Sequence, residues 1–431
     1  MYEGIGKILL LISRLSLLKA HSSTLIWFSH KDLELRGTML VDVQGHSVNG
    51  GMTKEEWSLL LSRIREKDCT PFLGAAASSP PLPLGREIAL KWSDEFSYPL
   101  YDRENLPRVA RYLALKRDPV FPKDEMRRHL QRTLKQEGFH HFDDCCQIHR
   151  VLAQLGLPIY LTTNYDDFME KALERENRRP FTSDYCRWNS LIEQEDGAIG
   201  ESFNPTAEHP LVYHLHGTWD LVDSMVLTED DYIEFLGNVS RSKLHHRIVR
   251  AFSRTSLLFI GYSLEDLSFR TIFKSLIDTA GRGMKRTSIS VQLDPRSEAE
   301  NRIGEIIGSI EALAGNSHRK DLAMPRNEID GIIAQIKEHS KEEGVFALIN
   351  QLENRLINFL VEDKRSDMIH SVFNRINLLQ NGIERLQRAV PTQKFLQEYF
   401  KEIDISIYWG STERFAKELR EKCGGEGLIS A

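Results

Sequence analysis

Short apolar runs that stop at a small, hydroxylated or amide residue recur along this chain, separated by stretches of helical periodicity. That alternation constrains the fold more than any other feature. Thr70 to Leu73 leads into Gly74-Ala75-Ala76-Ala77-Ser78, and Ile159 to Leu161 leads into Thr162-Thr163-Asn164-Tyr165-Asp166. Leu211 to Leu215 leads into His216-Gly217, Ser256 to Ile260 into Gly261-Tyr262-Ser263, and Thr287 to Leu293 into Asp294. Strands this short and this uniformly apolar fit a sheet covered on both faces, the condition of parallel strands joined by crossover helices. The intervening segments supply those helices. Thr53 with Glu56 makes a capping box, and Trp57, Leu60, Leu61 and Ile64 fall on one helical face. Pro80, Pro81 and Pro83 stiffen the stretch after the first turn, so the next helix is predicted to begin near Leu84 or Gly85. Further helices are predicted over 106–115, 125–136, 142–155, 167–176, 242–254 and 267–278, with Gly156-Leu157-Pro158 breaking the chain before the second strand. The expected fold class is α/β, a doubly wound parallel sheet.

From Asn327 to Val390 the period is helical only: Ile329, Ile332, Ile333 and Ile336, then Val345, Ile349, Leu352 and Leu356, then Met368, Val372, Ile376 and Leu379. Ile403 to Trp409 reads again as a strand and Thr412 to Glu421 as a helix, so the helical block is predicted to be an insertion after which the chain rejoins the sheet. The expected organisation is an N-terminal extension (1–51), a nucleotide-binding domain (52–300), a helical insertion for oligomerisation or partner binding (301–395) and a return to the sheet with a tail (396–431). In the extension, Lys7, Arg14 and Lys19 interrupt the apolar stretches, which are too short and too charged for a membrane span. No clean small-residue cleavage site follows them. The extension is therefore read as the product of an early start, with Met39 or Met52 as the working start, and its removal is expected to leave folding and activity intact.

At 431 residues and 41% hydrophobic content the chain can bury a sizeable core. A net charge of -6 and a pI near 6.2 provide no basic footprint, so no direct nucleic-acid binding is expected. Five cysteines, Cys69, Cys145, Cys146, Cys186 and Cys423, are too sparse for a disulfide scaffold and fit a reducing cytoplasm. No pair of Cys-x-x-Cys motifs is present to close a tetrahedral zinc site, so no metal is expected.

The turns after the strands hold the chemistry. Backbone donors from Gly74 to Ala77 can take up a pyrophosphate without any side-chain charge, and small side chains allow close approach. A small-residue turn without ligand is the alternative. Asn164 can donate and accept, which suits orienting a water or a ribose hydroxyl; Asp166 is placed to bond a ribose or to fix its loop. Their alternative is an Asn/Asp turn capping the helix that follows. A histidine after a strand can take a proton near neutral pH, and both His214 and His216 stand there, with alternation predicting the same side for the two.

In this order, these motifs resemble the sirtuin family, and more narrowly its bacterial sirtuin-like branch of NAD-consuming defence proteins. The likeness runs from about Thr53 to Val291 and returns near Tyr399 to Leu419. Sirtuins read Gly-Ala-Gly-x-Ser at the first turn, Thr-x-Asn-x-Asp at the second and His-Gly at the third; Ala76 stands here in place of the middle glycine. The resemblance implies a Rossmann-like sirtuin fold that uses NAD as substrate. It assigns catalysis to Asn164 and His216, leaving His214 as support. It assigns NAD contacts to Gly74, Ala75, Ala76, Ser78, Thr163, Asp166, Gly261, Ser263, Asp294 and Gly410, and it requires a helical backbone at Ala76; for Asp294 a turn formed by an Asp before Pro295 is an equal alternative. Protein-deacylating sirtuins carry a zinc ribbon that this sequence lacks, so the implied activity is cleavage of NAD to nicotinamide and ADP-ribose, an oxocarbenium-type reaction. The branch further implies antiviral defence in the cytoplasm and assembly as a homo-oligomer or with a HerA-type ATPase or an Argonaute, without membrane attachment. Two other functions stay open, a silent NAD or ADP-ribose sensor or scaffold and a protein deacylase.

Overall fold

The computed structural model describes residues 51–137, 142–194, 197–200, 202–239, 244–262, 286–315, 323–342, 344–362 and 368–429. Residues 1–50 of the expected extension, the helix over 267–278 and Ser263 lie outside them. Among the described residues seven strands form one parallel sheet: β1 (Cys69–Leu73), β2 (Ile159–Thr162), β3 (Thr182–Tyr185), β4 (Leu211–His214), β5 (Ser256–Ile260), β6 (Ser288–Gln292) and β7 (Ile405–Trp409). Their order is β3-β4-β2-β1-β5-β6-β7. The chain runs from β1 to β2 and on to the edge strand β3, returns to place β4 between β2 and β3, then crosses back to β5 and continues to β7. The order therefore reverses between β1 and β5, and the crevice at their carboxyl ends is where open α/β sheets place ligands.

Period-two alternation explains why both faces are covered. Leu73, Tyr160, Val212, Leu258 and Ile260 pack into one core with Trp57 of α1 (Lys54–Arg65), Trp92 of α2 (Gly85–Glu95), Val109 of α3 (Leu106–Lys116) and Phe415. Their strand neighbours Phe72, Leu161, Tyr213 and Phe259 point the other way, into a second core with Phe235 and Ile248. The capping box at the head of α1 is in place: Glu56 N–H donates to Thr53 Oγ1 at 3.2 Å and Thr53 N–H donates to the Glu56 carboxylate at 2.9 Å. Three elements differ from expectation. The helix expected over 142–155 is only α5 (Ile148–Gln154), after α4 (Phe121–Glu137), because Asp144 turns its carboxylate onto the Cys146 N–H at 2.8 Å and ties the preceding residues into turns. Beyond α6 (Phe168–Arg175), β3 has no apolar signature, being Thr-Ser-Asp-Tyr at the sheet edge, and α7 (Glu229–Val239) follows Thr228, whose Oγ1 accepts the Asp231 N–H at 3.2 Å. Neither β3 nor α7 was expected.

Helix α8 (His246–Arg254) precedes β5, and between β6 and β7 run α9 (Pro295–Gly315), α10 (Ala323–Glu338), α11 (Val345–Glu362), α12 (Ile369–Gln387) and α13 (Ala389–Lys401), with α14 (Thr412–Gly425) after β7. Helices α9 to α12 have a core of their own, built on Ile303, Ile310, Ile333, Ile349, Leu356 and Leu379. Leu396 and Phe400 of α13 instead join the second core of the sheet. Strand β7 then pairs with β6, Ser288 opposite Ile405 through Gln292 opposite Trp409. No helix among the described residues is long and apolar enough to cross a membrane.

Candidate active site

At the reversal point the turns after β1 and β5 touch through their backbones. Gly74 N–H donates to Ile260 O at 2.9 Å, and Ala76 N–H donates to Gly261 O at 3.1 Å. Gly261 has φ +80, and a Cβ there would lie 2.3 Å from Ala77 N; a Cβ at Gly74 would lie 2.7 Å from Gly261 O. Both glycines are thus needed for the contact. Ala75 to Ala77 form a single 3-10 turn, so the backbone at Ala76 is helical and tolerates a methyl group. The same turn changes the picture of its amides. Gly74, Ala76, Ala77 and Ser78 N–H groups are all bonded within the protein, the last two to Gly74 O at 2.9 Å and Ala75 O at 3.1 Å. The expected row of free donors is reduced to the Ala75 N–H, which has no acceptor among the described residues, because the turn closes on itself and on Gly261.

The loop after β2 presses onto this turn. Asn164 Nδ2 donates to Gly74 O at 3.1 Å and to Ser78 Oγ at 2.9 Å, while the Asn164 N–H donates to Thr162 Oγ1 at 2.9 Å. Since a carbonyl can only accept, the amide orientation is set by Gly74 O. Its Oδ1 is left as the one acceptor without a partner among the described residues. Ser78 Oγ in turn donates to Asp166 Oδ2 at 2.9 Å, and Asp166 Oδ1 accepts the Phe168 N–H at 3.1 Å at the head of α6. Asp166 therefore acts through Ser78 and the helix start, with both carboxylate oxygens engaged. Burial pushes its carboxyl up to about 6, against the pull of those two donors and of the His214 charge.

The two histidines part company. His214, the last residue of β4, sets Nδ1 3.1 Å from Asn164 O and Nε2 2.8 Å from Glu170 Oε1 on α6. His216 lies beyond the strand, where alternation no longer holds, and its ring meets Tyr232 and Phe235 of α7 edge-on at 5.3 and 5.1 Å. The expectation of a shared side fails, because the strand ends at His214 and its period of two does not carry on to His216; the chain then turns at Gly217, φ +78, where a Cβ would collide with Ser224 O at 2.1 Å. Two rungs nevertheless hold the His216 segment beside the Asn164 loop: Leu215 N–H to Thr162 O at 2.8 Å and Trp219 N–H to Tyr165 O at 3.0 Å. His216 Nε2 is buried without a partner among the described residues, and burial pushes the ring down to about 3, so it stays neutral.

Sequence reading missed Tyr262. Its hydroxyl donates to Leu73 O at 2.9 Å and meets Thr163 Oγ1 at 2.7 Å, and its ring stacks on Phe72 with centroids 5.0 Å apart. Thr163 is thus engaged by Tyr262. Gln292, also unforeseen, donates from Nε2 to Tyr262 O at 2.8 Å, and Gly410 N–H donates to Gln292 O at 2.8 Å. Asp294 does not join this belt: its Oδ1 accepts the Arg296 and Ser297 N–H groups at 2.9 and 3.2 Å and caps α9. The structure brings Gly74 to Ser78, Thr163, Asn164, Asp166 and Gly261 together, with His216 alongside, and places Asp294 at the mouth of β6 as a helix cap. The group Asp144, Cys145 and Cys146 offers three ligand atoms within 4.8 Å of one another, in the exposed turn before α5.

Residues 158–311 match the family model described as SIR2-like domain. Over these residues the chain is similar to SIR2-like domains. The match opens just before β2 and closes within α9, so it takes in Asn164, His216 and Gly261 but not the Gly74 turn. The chain is 23% identical over 251 residues to "NAD(+) hydrolase ThsA" of Bacillus cereus (strain MSX-D12), covering 56% of this chain and 50% of that protein. It is 26% identical over 228 residues to the protein of the same name from Acinetobacter baumannii (strain 532279), covering 50% and 41%. With the Cytobacillus dafuensis protein of that name it shares 35% identity over 118 residues, 27% of this chain and 21% of the relative. The matched stretches thus span half or less of the length of these relatives.

Proposed function

We propose that this SIR2-like domain hydrolyses NAD to nicotinamide and ADP-ribose. The observation that carries the reading is Asn164: its amide is locked onto Gly74 O and Ser78 Oγ at the reversal point of the sheet, which leaves Oδ1 as an open acceptor. An acceptor fixed there can orient a water or a ribose hydroxyl against a carbon that becomes cationic as the neutral base leaves. His216, whose Nε2 has no partner among the described residues, can accept a hydrogen bond from that hydroxyl or water, although burial, which holds its ring down to about 3, makes it a weak base. The Ala75 N–H and the small turn around it support the phosphates. That three relatives from different bacteria bear the name NAD(+) hydrolase agrees with this chemistry.

The proposal extends to biology: an effector that depletes NAD in antiviral defence, acting in the cytoplasm as a homo-oligomer or with a partner such as a HerA-type ATPase through the block α9 to α12. One observation favours a second reading, binding of NAD or ADP-ribose without turnover, because most amides of the phosphate turn are already spent inside the protein. Nicotinamide release separates the two. The chain, alone and with the product of a neighbouring gene, is incubated with NAD beside Asn164→Ala and His216→Ala. Release that both substitutions abolish is the expected result. Binding without release in any assembly state would favour the sensor, and release indifferent to both substitutions would refute the site.

A further inference from the structure

Behind the Asn164 loop lies a buried charged pair that the proposed chemistry leaves without a role. His214 is 3% exposed and its Nε2 stands 2.8 Å from Glu170 Oε1, while its Nδ1 faces Asn164 O at 3.1 Å. Ser183 Oγ on β3 donates to the same Glu170 oxygen at 2.6 Å. Both ring nitrogens therefore face acceptors. A neutral imidazole carries one N–H and could satisfy one of them, whereas an imidazolium satisfies both. Burial opposes that charge, but the Glu170 carboxylate and the Asn164 carbonyl outweigh it, with Asp166 adding to them, and the ring is held up to about 9. Glu170 is correspondingly held below its ordinary value despite burial, chiefly by the His214 charge. A buried ion pair is a poor stabiliser compared with apolar residues of the same volume, so its contribution has to be sought in what it orients.

We propose that Glu170 and His214 are positioning residues that pin the backbone carbonyl of Asn164 and thereby set the aim of its Oδ1. The Asn164 N–H is held by Thr162 Oγ1, the side-chain amide by Gly74 O and Ser78 Oγ, and the carbonyl by His214. Every polar group of the residue except Oδ1 is thus tethered, from three separate segments of the fold. Glu170 closes the arrangement from α6, since it fixes which ring nitrogens carry protons. The inference rests on Asn164 being the residue that acts on NAD.

Two substitutions and one spectrum test it. Glu170→Gln can donate to His214 Nε2, which keeps the ring proton on Nδ1 and the bond to Asn164 O; Glu170→Leu cannot. The Gln variant is expected to keep kcat within about threefold of wild type, and the Leu variant to lose about 10- to 100-fold in kcat with KM little changed, the scale of a small misplacement at a reacting centre. A Leu variant with a lowered melting temperature but full kcat per folded molecule would show a merely structural role and overturn the proposal. The 15N shifts of the histidine rings are read in parallel on the full chain at pH 7.5. His214 of the wild type is expected to carry a proton on Nδ1, the nitrogen that faces Asn164 O; an unprotonated Nδ1 would overturn the proposal whatever the kinetics and whether or not Glu170→Leu folds. Absence of nicotinamide release from the wild type in every assembly state would instead refute the hydrolase reading, while the ring spectrum still decides the pair.

Discussion

Ser78 joins the turn after β1 to the loop after β2 through a single oxygen, and Ser78→Ala tests that link with a pH-dependent outcome. The residue is 1% exposed, donates to Asp166 Oδ2 and accepts from Asn164 Nδ2, each at 2.9 Å. Alanine leaves a buried carboxylate oxygen without its donor, a loss of about 1.5–3 kcal/mol when the carboxyl is ionised. The sign of the pH dependence follows from Asp166. Burial lifts its carboxyl from 3.8 to about 6 in the folded protein, so protonation favours the fold. The contribution is fully present below the unfolded value of 3.8 and lost as pH rises through about 6. That interval corresponds to about 3 kcal/mol. Ser78 Oγ favours the ionised form, so its removal lifts the folded value further and adds destabilisation only where the carboxyl ionises. At pH 5 the expected loss is about 1 kcal/mol, the neutral hydrogen bonds alone; at pH 7.5 it reaches about 2–3 kcal/mol. Urea unfolding followed by tryptophan fluorescence at both pH values measures it, with wild type beside the variant. Equal losses at the two pH values, or a larger one at pH 5, would refute the account of Asp166 as a buried carboxylate held by Ser78.

Gly261→Ala forces a Cβ to within 2.3 Å of Ala77 N at φ +80, so the two turns must separate; a loss of at least ~2 kcal/mol and of nicotinamide release is expected, and a variant with wild-type melting temperature and turnover would disprove the contact. Tyr262→Phe removes the hydroxyl bonded to Leu73 O and Thr163 Oγ1; about 1 kcal/mol and a raised KM are expected, and an unchanged KM would dissociate Tyr262 from the site. His216 is pushed down to about 3 by burial, so its contribution to stability is present above its ordinary value of 6.5 and lost as pH falls towards 3. His216→Gln should therefore flatten the acid sensitivity of unfolding between pH 6 and 4; an unchanged acid limb would show that the ring is not buried neutral.

Much of the site was legible because each part ends a strand. Gly74, Asn164, His216 and Gly261 all follow apolar runs, and in a parallel sheet that alone brings them to one edge. The pairings across that edge were not legible. Ser78 and Asp166 are bonded over a separation of 88 residues, and Tyr262 reaches Leu73 O over 189. Nothing local to Tyr262 marks it, although its place between Gly261 and Ser263 at a strand end was a usable hint. Asp294 shows the opposite case: an acidic residue before Pro295 carried its local meaning, a helix cap, in the sequence itself.

The sequence by itself determined the alternation of strand and helix, the capped α1, the block of amphipathic helices between β6 and β7 and the strand-end positions of the polar residues. These depend on periodicity and on neighbours a few residues away, which the chain displays directly. Only the tertiary structure decided that the phosphate turn spends its amides on itself and on Gly261, that Asp166 faces Ser78, and that His214 and His216 point to different helices. Those outcomes depend on which backbone groups remain unpaired once the sheet has closed, and a buried polar group takes the partner that packing brings within about 3 Å.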